Sequence, residues 1–192
     1  MNGIAKFNND QRKVFQRVGK LEDKYYLDLA DEQWRTIEIS DSGWRVLEKP
    51  PVIFVRTSSM RSLPEPKETG DLDLLWNYIN IPKEDRFLLL AWILECFRSN
   101  TPDPILELTG EQGSGKSLTH NNIRDLIDPN KVNLRSVPEK REDLFVPAGH
   151  SLIVSLENVS RLSPSMQDAL CSLSTGGVLL PVDFIQTMKS LF

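Results

Sequence analysis

The sequence predicts an α/β protein: a parallel-sheet core, built around a glycine-rich strand–loop–helix unit, that follows a small β-rich N-terminal module. Three observations predict it. The run Gly110-Glu111-Gln112-Gly113-Ser114-Gly115-Lys116-Ser117 lies between a short apolar segment and a helical pattern. Residues 25–55 are a succession of short aromatic and branched runs, and a Ser-, Pro-, Glu- and Gly-rich stretch at 56–70 separates the two textures.

The bulk numbers suit this size of body. The chain has 192 residues, 40% hydrophobic and 26% charged, enough for one medium domain with a smaller module attached. A net charge of −4 gives no overall basic footprint for nucleic acid. Lys6, Arg12, Lys13, Arg17 and Lys20 form a local basic run, read here as a solvated helix face; residues 1–20 read as a weak helix or a frayed terminus. Cys96 and Cys171 stand far apart in apolar helical patterns, as small buried hydrophobes in a reducing compartment do. Met1–Lys20 lacks the apolar stretch of a signal peptide, and the longest apolar run, Phe87–Leu94, falls short of the roughly 20 residues of a membrane span. A soluble, cytoplasmic protein is expected, with no membrane partner.

In the N-terminal module, residues 1–56, strands are expected at Tyr25–Leu29, Trp34–Ile39, Trp44–Leu47 and Val52–Val55. Ser40-Asp41-Ser42-Gly43 supplies a hairpin turn in which Gly43 is free to take positive φ. Trp34 and Trp44 are read as packing of that hairpin rather than as stacking platforms for bases. Residues 57–70 are the expected linker and 71–192 the core. The core opens with a helical lead-in over 71–98: Asp71–Ile79, then Glu84–Arg98 with Pro82 at its start, apolar nearly all round and so expected to be buried. Then come a strand at Pro104–Leu108, a helix from Lys116 to Ile127 stopped by Asp128-Pro129-Asn130, and a second strand at Val132–Leu134. A helical turn at Glu142–Phe145, a central strand at Ser151–Leu156 and a helix from Ser163-Pro164 to Leu173 complete the pattern.

Gly110–Ser117 satisfies G-x-x-x-x-G-K-[ST] at every defined position, with a strand expected before it and a helix after it. The chemistry accounts for each residue type. Gly113 and Gly115 let the backbone curl so that successive N–H groups of Gly110, Glu111, Gln112, Gly113, Ser114, Gly115, Lys116, Ser117 and Leu118 can face phosphate oxygens. The helix start adds partial positive charge, the Lys116 ammonium bridges β- and γ-phosphates, and the Ser117 hydroxyl ligates Mg²⁺. The expected ligands are therefore ATP and Mg²⁺, although such a loop reads phosphates and not the base. A metal-side carboxylate is expected at the end of the apolar run Ser151–Leu156, where Glu157 stands; Asn158 follows, where many ATPases keep a catalytic glutamate. Asn158 can orient a water but cannot take its proton, so binding is better supported than fast hydrolysis. Lys116, Glu157 and Asn158 are the candidate catalytic residues, and Ser117 and Glu157 the candidate metal residues.

Other constellations fail. His120 and His150 lack metal-ligand spacing with each other or with the cysteines. Asn130-Lys131-Val132-Asn133 lacks the aspartate of a guanine-reading N-K-x-D and follows the glycine loop too soon.

Trp92-Ile93-Leu94 and the run from Pro104 to Ser117 resemble the ATP-binding proteins of prophages, phages and plasmids that are related to primase-linked helicases. Similar stretches are Leu126-Ile127-Asp128-Pro129, Leu134-Arg135-Ser136-Val137-Pro138, Asp143-Leu144, Glu157-Asn158-Val159-Ser160, Asp168-Ala169-Leu170-Cys171 and Thr175-Gly176-Gly177. Gly43-Trp44-Arg45-Val46 and Pro50–Arg56 resemble the β-rich segment that precedes the core there. The resemblance implies a P-loop ATPase of mobile-element DNA replication, working as a ring with single-stranded DNA or a replication protein as partner. Two departures matter. The family has aspartate where Glu157 stands, and after Thr175-Gly176-Gly177 it carries an arginine or lysine and a Leu-Tyr-Thr-like strand. Val178–Met188 has no arginine, which removes a candidate sensor of γ-phosphate charge worth about 10³-fold in rate where it operates. A compensated frameshift over Val178–Lys189 would account for the departure. The parallel sheet is then expected to be incomplete at the C-terminus, and the chain a truncated member.

Three functions follow as expectations: a replication ATPase, helicase- or primase-associated, with hydrolysis in doubt; a non-catalytic nucleotide-binding or interaction fragment; and, last, a P-loop kinase. The kinase wants an arginine-rich lid, and no arginine follows Arg161.

Overall fold

The computed structural model describes residues 13–99 and 101–176. The N-terminal module is a four-stranded antiparallel meander of β2 (Val18–Leu21), β3 (Lys24–Asp28), β4 (Thr36–Ser40) and β5 (Gly43–Leu47). Beside it β1 (Val14–Phe15) pairs in parallel with β6 (Ile53–Phe54). The expected N-terminal helix is corrected over its described part: Val14–Phe15 and Val18–Leu21 are β with a bend at Gln16-Arg17 between them, because the two runs pair with Ile53–Phe54 and Lys24–Leu27. The hairpin turn forms as expected, with Gly43 at φ 114° opposite Ser40. Tyr26, Glu38 and Arg45 are in register across three strands, and Glu38 accepts from Tyr26 Oη at 3.1 Å and Arg45 Nε at 2.8 Å. The two tryptophans do not pair: Trp44 lies opposite Ile39, while Trp34 lies under the Arg56 guanidinium at 3.9 Å.

The second part begins with a 3₁₀ segment at Leu72–Asn77, where an α-helix was expected, and a 3₁₀ turn at Lys83–Asp85 leading into α1 (Arg86–Cys96). Then follow α2 (Lys116–Ile127), β7 (Arg135–Ser136), α3 (Glu142–Ala148), β8 (Leu156–Glu157) and α4 (Pro164–Ser174). Ser163 caps α4 as anticipated, accepting from Met166 N. Ile79, Leu89, Ile93, Ile123 and Ile127 form one core cluster, joined by Leu106, Leu108, Leu152 and Ile153; Leu144, Phe145, Met166 and Ala169 form another. Burial of α1 is only partial. Leu89 and Ile93, one turn apart, face the core, while Phe87, Leu88 and Leu94 are 82%, 68% and 68% exposed. Cys96 is half-buried and Cys171 exposed, so the second cysteine is not the buried hydrophobe anticipated. No helix among the described residues is long and apolar enough to cross a membrane.

The parallel pairing is short. β7 and β8 pair in parallel over two residues, Arg135 with Leu156 and Ser136 with Glu157, and not over the expected Val132–Leu134 and Ser151–Leu156. Pro104–Leu108 carries no assigned strand. The backbone groups a longer ladder would use are already taken. Leu152 N and Ile153 N donate to Asp128 Oδ2 at 3.0 and 3.2 Å, and Ile153 O accepts from Arg124 Nη1.

Residues 57–70 are not a free linker. Met60 and Asn130 form an antiparallel bridge, Arg61 N donates to Pro129 O (2.9 Å), Lys131 N to Ser59 O (2.8 Å) and Leu63 N to Leu29 O (2.8 Å). Asn130, fully buried, ties down this crossing: its Nδ2 donates to Ser59 Oγ at 3.3 Å and its Oδ1 accepts from Val132 N at 3.1 Å. Arg17 completes the stitching. Expected in solvent, it is 0% exposed, donating through Nε to Asp128 Oδ1 at 3.0 Å and through its other nitrogens to the carbonyls of Asp28, Arg61 and Pro129. Asp128 also receives Arg124 Nη2 at 3.3 Å. Removing one partner of such a buried pair strands the other charge, at a cost of about 3–5 kcal/mol. Arg17→Met, which keeps the apolar stem, is therefore expected to lower stability in urea unfolding by about 3 kcal/mol or more. A loss below about 1 kcal/mol, the range of a surface pair, would contradict the assignment.

Candidate functional site

The glycine loop ends in a conformation that only glycine adopts cheaply. Gly113 and Gly115 have φ of 84° and 81°, and Gly115 is the N-cap of α2 with no side-chain cap bonded to the helix start. Thr119 N donates back to Gly115 O at 2.9 Å as the first helical bond, so the N–H groups of the turn before it lie outside the helix's own ladder. An uncapped helix start of this kind receives anions, since its free donors and partial positive charge point the same way.

Lys116 lies over the loop. Its ammonium donates to Gly110 O at 2.7 Å, Glu111 O at 2.5 Å and Ser114 Oγ at 3.4 Å. These are neutral acceptors at an exposed site, which phosphate oxygens would replace with charge-assisted bonds. Gln112, Ser117 and Leu118 are exposed beside it.

Glu157 ends β8, and Asn158 directly after it has φ 55°. Left-handed backbone suits asparagine, so this residue turns the chain sharply away from the strand end. The Glu157 charge acts on His120, which is three residues along α2 from Ser117 and so on the same helix face. Among the described residues no cluster of three or more His, Cys, Asp or Glu side chains could hold a metal by themselves, so any metal here would need oxygens from a ligand.

One part of the surroundings escaped the sequence reading. The segment 76–80 forms a lip over the loop. Asn80 Nδ2 donates to Ser114 O at 3.0 Å, Asn80 N to Thr119 Oγ1 at 3.1 Å, and Asn122 Nδ2 to Tyr78 O at 2.6 Å. Between lip and loop lies a cleft of about 400 Å³. The signal was present: Asn77 and Asn80 alternate with aromatic and branched residues just before Pro82, a composition suited to an irregular anchored segment and not to a helix interior.

Loop, helix start and lip define a class first: a glycine loop–helix unit on a body of helices and short strands. The family follows from comparison. Residues 72–182 match the model of the actinomycete integrative conjugative element replication protein family. The match spans more than half of the chain, which therefore belongs to that family, and a role in replicating mobile-element DNA goes with it. No solved structure matches the chain.

Burial lowers the His120 pKa, the Arg124 charge lowers it further, and Glu157 opposes both. Stability linked to this ring is therefore present above the unfolded value of about 6.5 and declines as pH falls through it toward the lower folded value. The urea midpoint of the wild-type chain should drop between about pH 7 and about pH 5.5, and His120→Gln should lessen that drop. An identical drop in the variant would show that the ring is as free to protonate folded as unfolded.

Proposed function

We propose that this chain is an ATP-binding protein of mobile-element DNA replication, with Gly110–Ser117 as a P-loop in an α/β core of the NTPase type. The observation that carries the reading is the pair of left-handed glycines running into an uncapped helix start with Lys116 at its first position. Backbone N–H groups of the loop hold the phosphates, Lys116 exchanges its carbonyl contacts for β- and γ-oxygens, and the Ser117 hydroxyl takes Mg²⁺. Glu157 supports the metal and Asn158 positions the attacking water. Single-stranded DNA is the proposed activator and a homo-oligomeric ring the proposed working form, related to the primase-linked helicases.

A second reading keeps the nucleotide and drops its hydrolysis. Asn158 favours it, because an amide cannot accept a proton from water where a glutamate would. The arginine-free segment Val178–Met188, with the frameshift it suggests, lies outside the described residues.

The deciding experiment is ATP hydrolysis by the purified chain, with and without single-stranded DNA, beside Lys116→Ala. Lys116→Ala is expected to weaken MgATP binding about 100-fold or more, through loss of two charge-assisted contacts. Turnover that rises with DNA and vanishes in the variant supports the replication ATPase. ATP binding without turnover supports the second reading, and unchanged affinity in Lys116→Ala refutes both.

A further inference from the structure

Phosphates occupy one end of a nucleotide, and the cleft beside the loop has the character of the other end. Among the described residues no charged side chain lines it: its walls are Gly113–Gly115 and the first turn of α2 on one side, and the lip 76–80 on the other. Two large side chains face solvent there. Tyr78 is 68% exposed and Leu118 64% exposed. Both line the same cleft, one aromatic and one aliphatic, from the lip and from the helix. Trp76 is not equivalent, being half-buried with the Arg86 guanidinium stacked on its ring at 4.6 Å.

The Tyr78 backbone is held although its ring projects outward. Asn122 donates to its carbonyl, and Asn80, two residues on, is held against the loop and helix by its bonds to Ser114 and Thr119. An exposed aromatic on an anchored backbone presents a ready stacking surface with little backbone entropy left to lose. The cleft, about 400 Å³, lies within the range of ligand sites.

We propose that Tyr78 and Leu118 clamp the base of a purine nucleotide whose phosphates lie on Gly110–Ser117. The inference rests on the phosphate-loop reading of the previous subsection and adds where the nucleoside goes. The base stacks on the Tyr78 ring and packs on Leu118 from the opposite face, while the Asn77 amide is within the same wall to meet a polar ring edge. Stacking recognises the π-face more than the pattern of ring substituents, so the clamp holds purines without strict choice between them.

The test compares two probes on the full chain by titration calorimetry: MgATP, and magnesium tripolyphosphate, which has the phosphates and no base. In the wild type, MgATP is expected to bind more tightly than tripolyphosphate. Tyr78→Ala is expected to weaken MgATP about tenfold or more and leave tripolyphosphate unchanged, and Tyr78→Phe to restore the ATP affinity. Lys116→Ala, in contrast, should weaken both probes. Tyr78→Ala with unaltered MgATP affinity, while Lys116→Ala loses both probes, would overturn the clamp and leave the phosphate loop standing. Failure of the wild-type chain to bind either probe would overturn both.

Discussion

The Asp128 carboxylate, at the end of α2, joins parts of the chain that are far apart in sequence. It accepts Arg17 from 111 residues upstream, Arg124 from its own helix, and the backbone N–H groups of Leu152 and Ile153 from the segment leading to β8. A carboxylate at a helix C-terminus is ordinarily unfavourable, because it adds to the negative end of the dipole. Two guanidiniums reverse that here. Both are fully or nearly fully buried, so screening by water is small and each group depends on the others.

The same helix carries both ends of the account. Asp128 closes α2 and Gly115 opens it, and twelve helical residues separate them over about 18 Å. Ile123 and Ile127 bury one face of this rod against α1, Leu106, Leu108, Leu152 and Ile153. Thr119 and Asn122, on successive positions of another face, hold the lip against the loop. The loop is therefore positioned by a helix whose far end is pinned to the N-terminal module. That gives the β-rich module a physical connection to the proposed nucleotide site without touching it.

The local signals in the sequence translated well where one residue type decides the outcome. Lys116–Ile127 begins and ends at the residues that its glycines and Asp128-Pro129 dictate, and Ser163 caps α4. The hairpin at Ser40–Gly43 follows from its turn chemistry. Where partners across the chain decide, pattern alone fell short. Arg17 looked like one charge in a basic run, and only the distant Asp128 makes it a buried group. Ser151–Leu156 reads as a strand by hydrophobicity, yet side chains of α2 occupy its first backbone groups and confine the pairing to Leu156–Glu157. Phe87–Leu94 is apolar on every side, and nothing in that run says which face meets the core. The turn at Gly113–Gly115 into α2 is legible because its glycines mark it; the lip at 76–80 is not, because its role comes from tethers to Ser114, Thr119 and Asn122.

Membership in a replication family of integrative conjugative elements gives the setting, and the phosphate loop is the proposed chemistry within it. Equilibrium unfolding in urea with and without MgATP tests that chemistry most directly, because a ligand of the folded state alone raises stability by mass action. At about 100 times the dissociation constant the account predicts a gain of about 2.7 kcal/mol, absent in Lys116→Ala. A midpoint that millimolar MgATP leaves unmoved in the wild-type chain would contradict it.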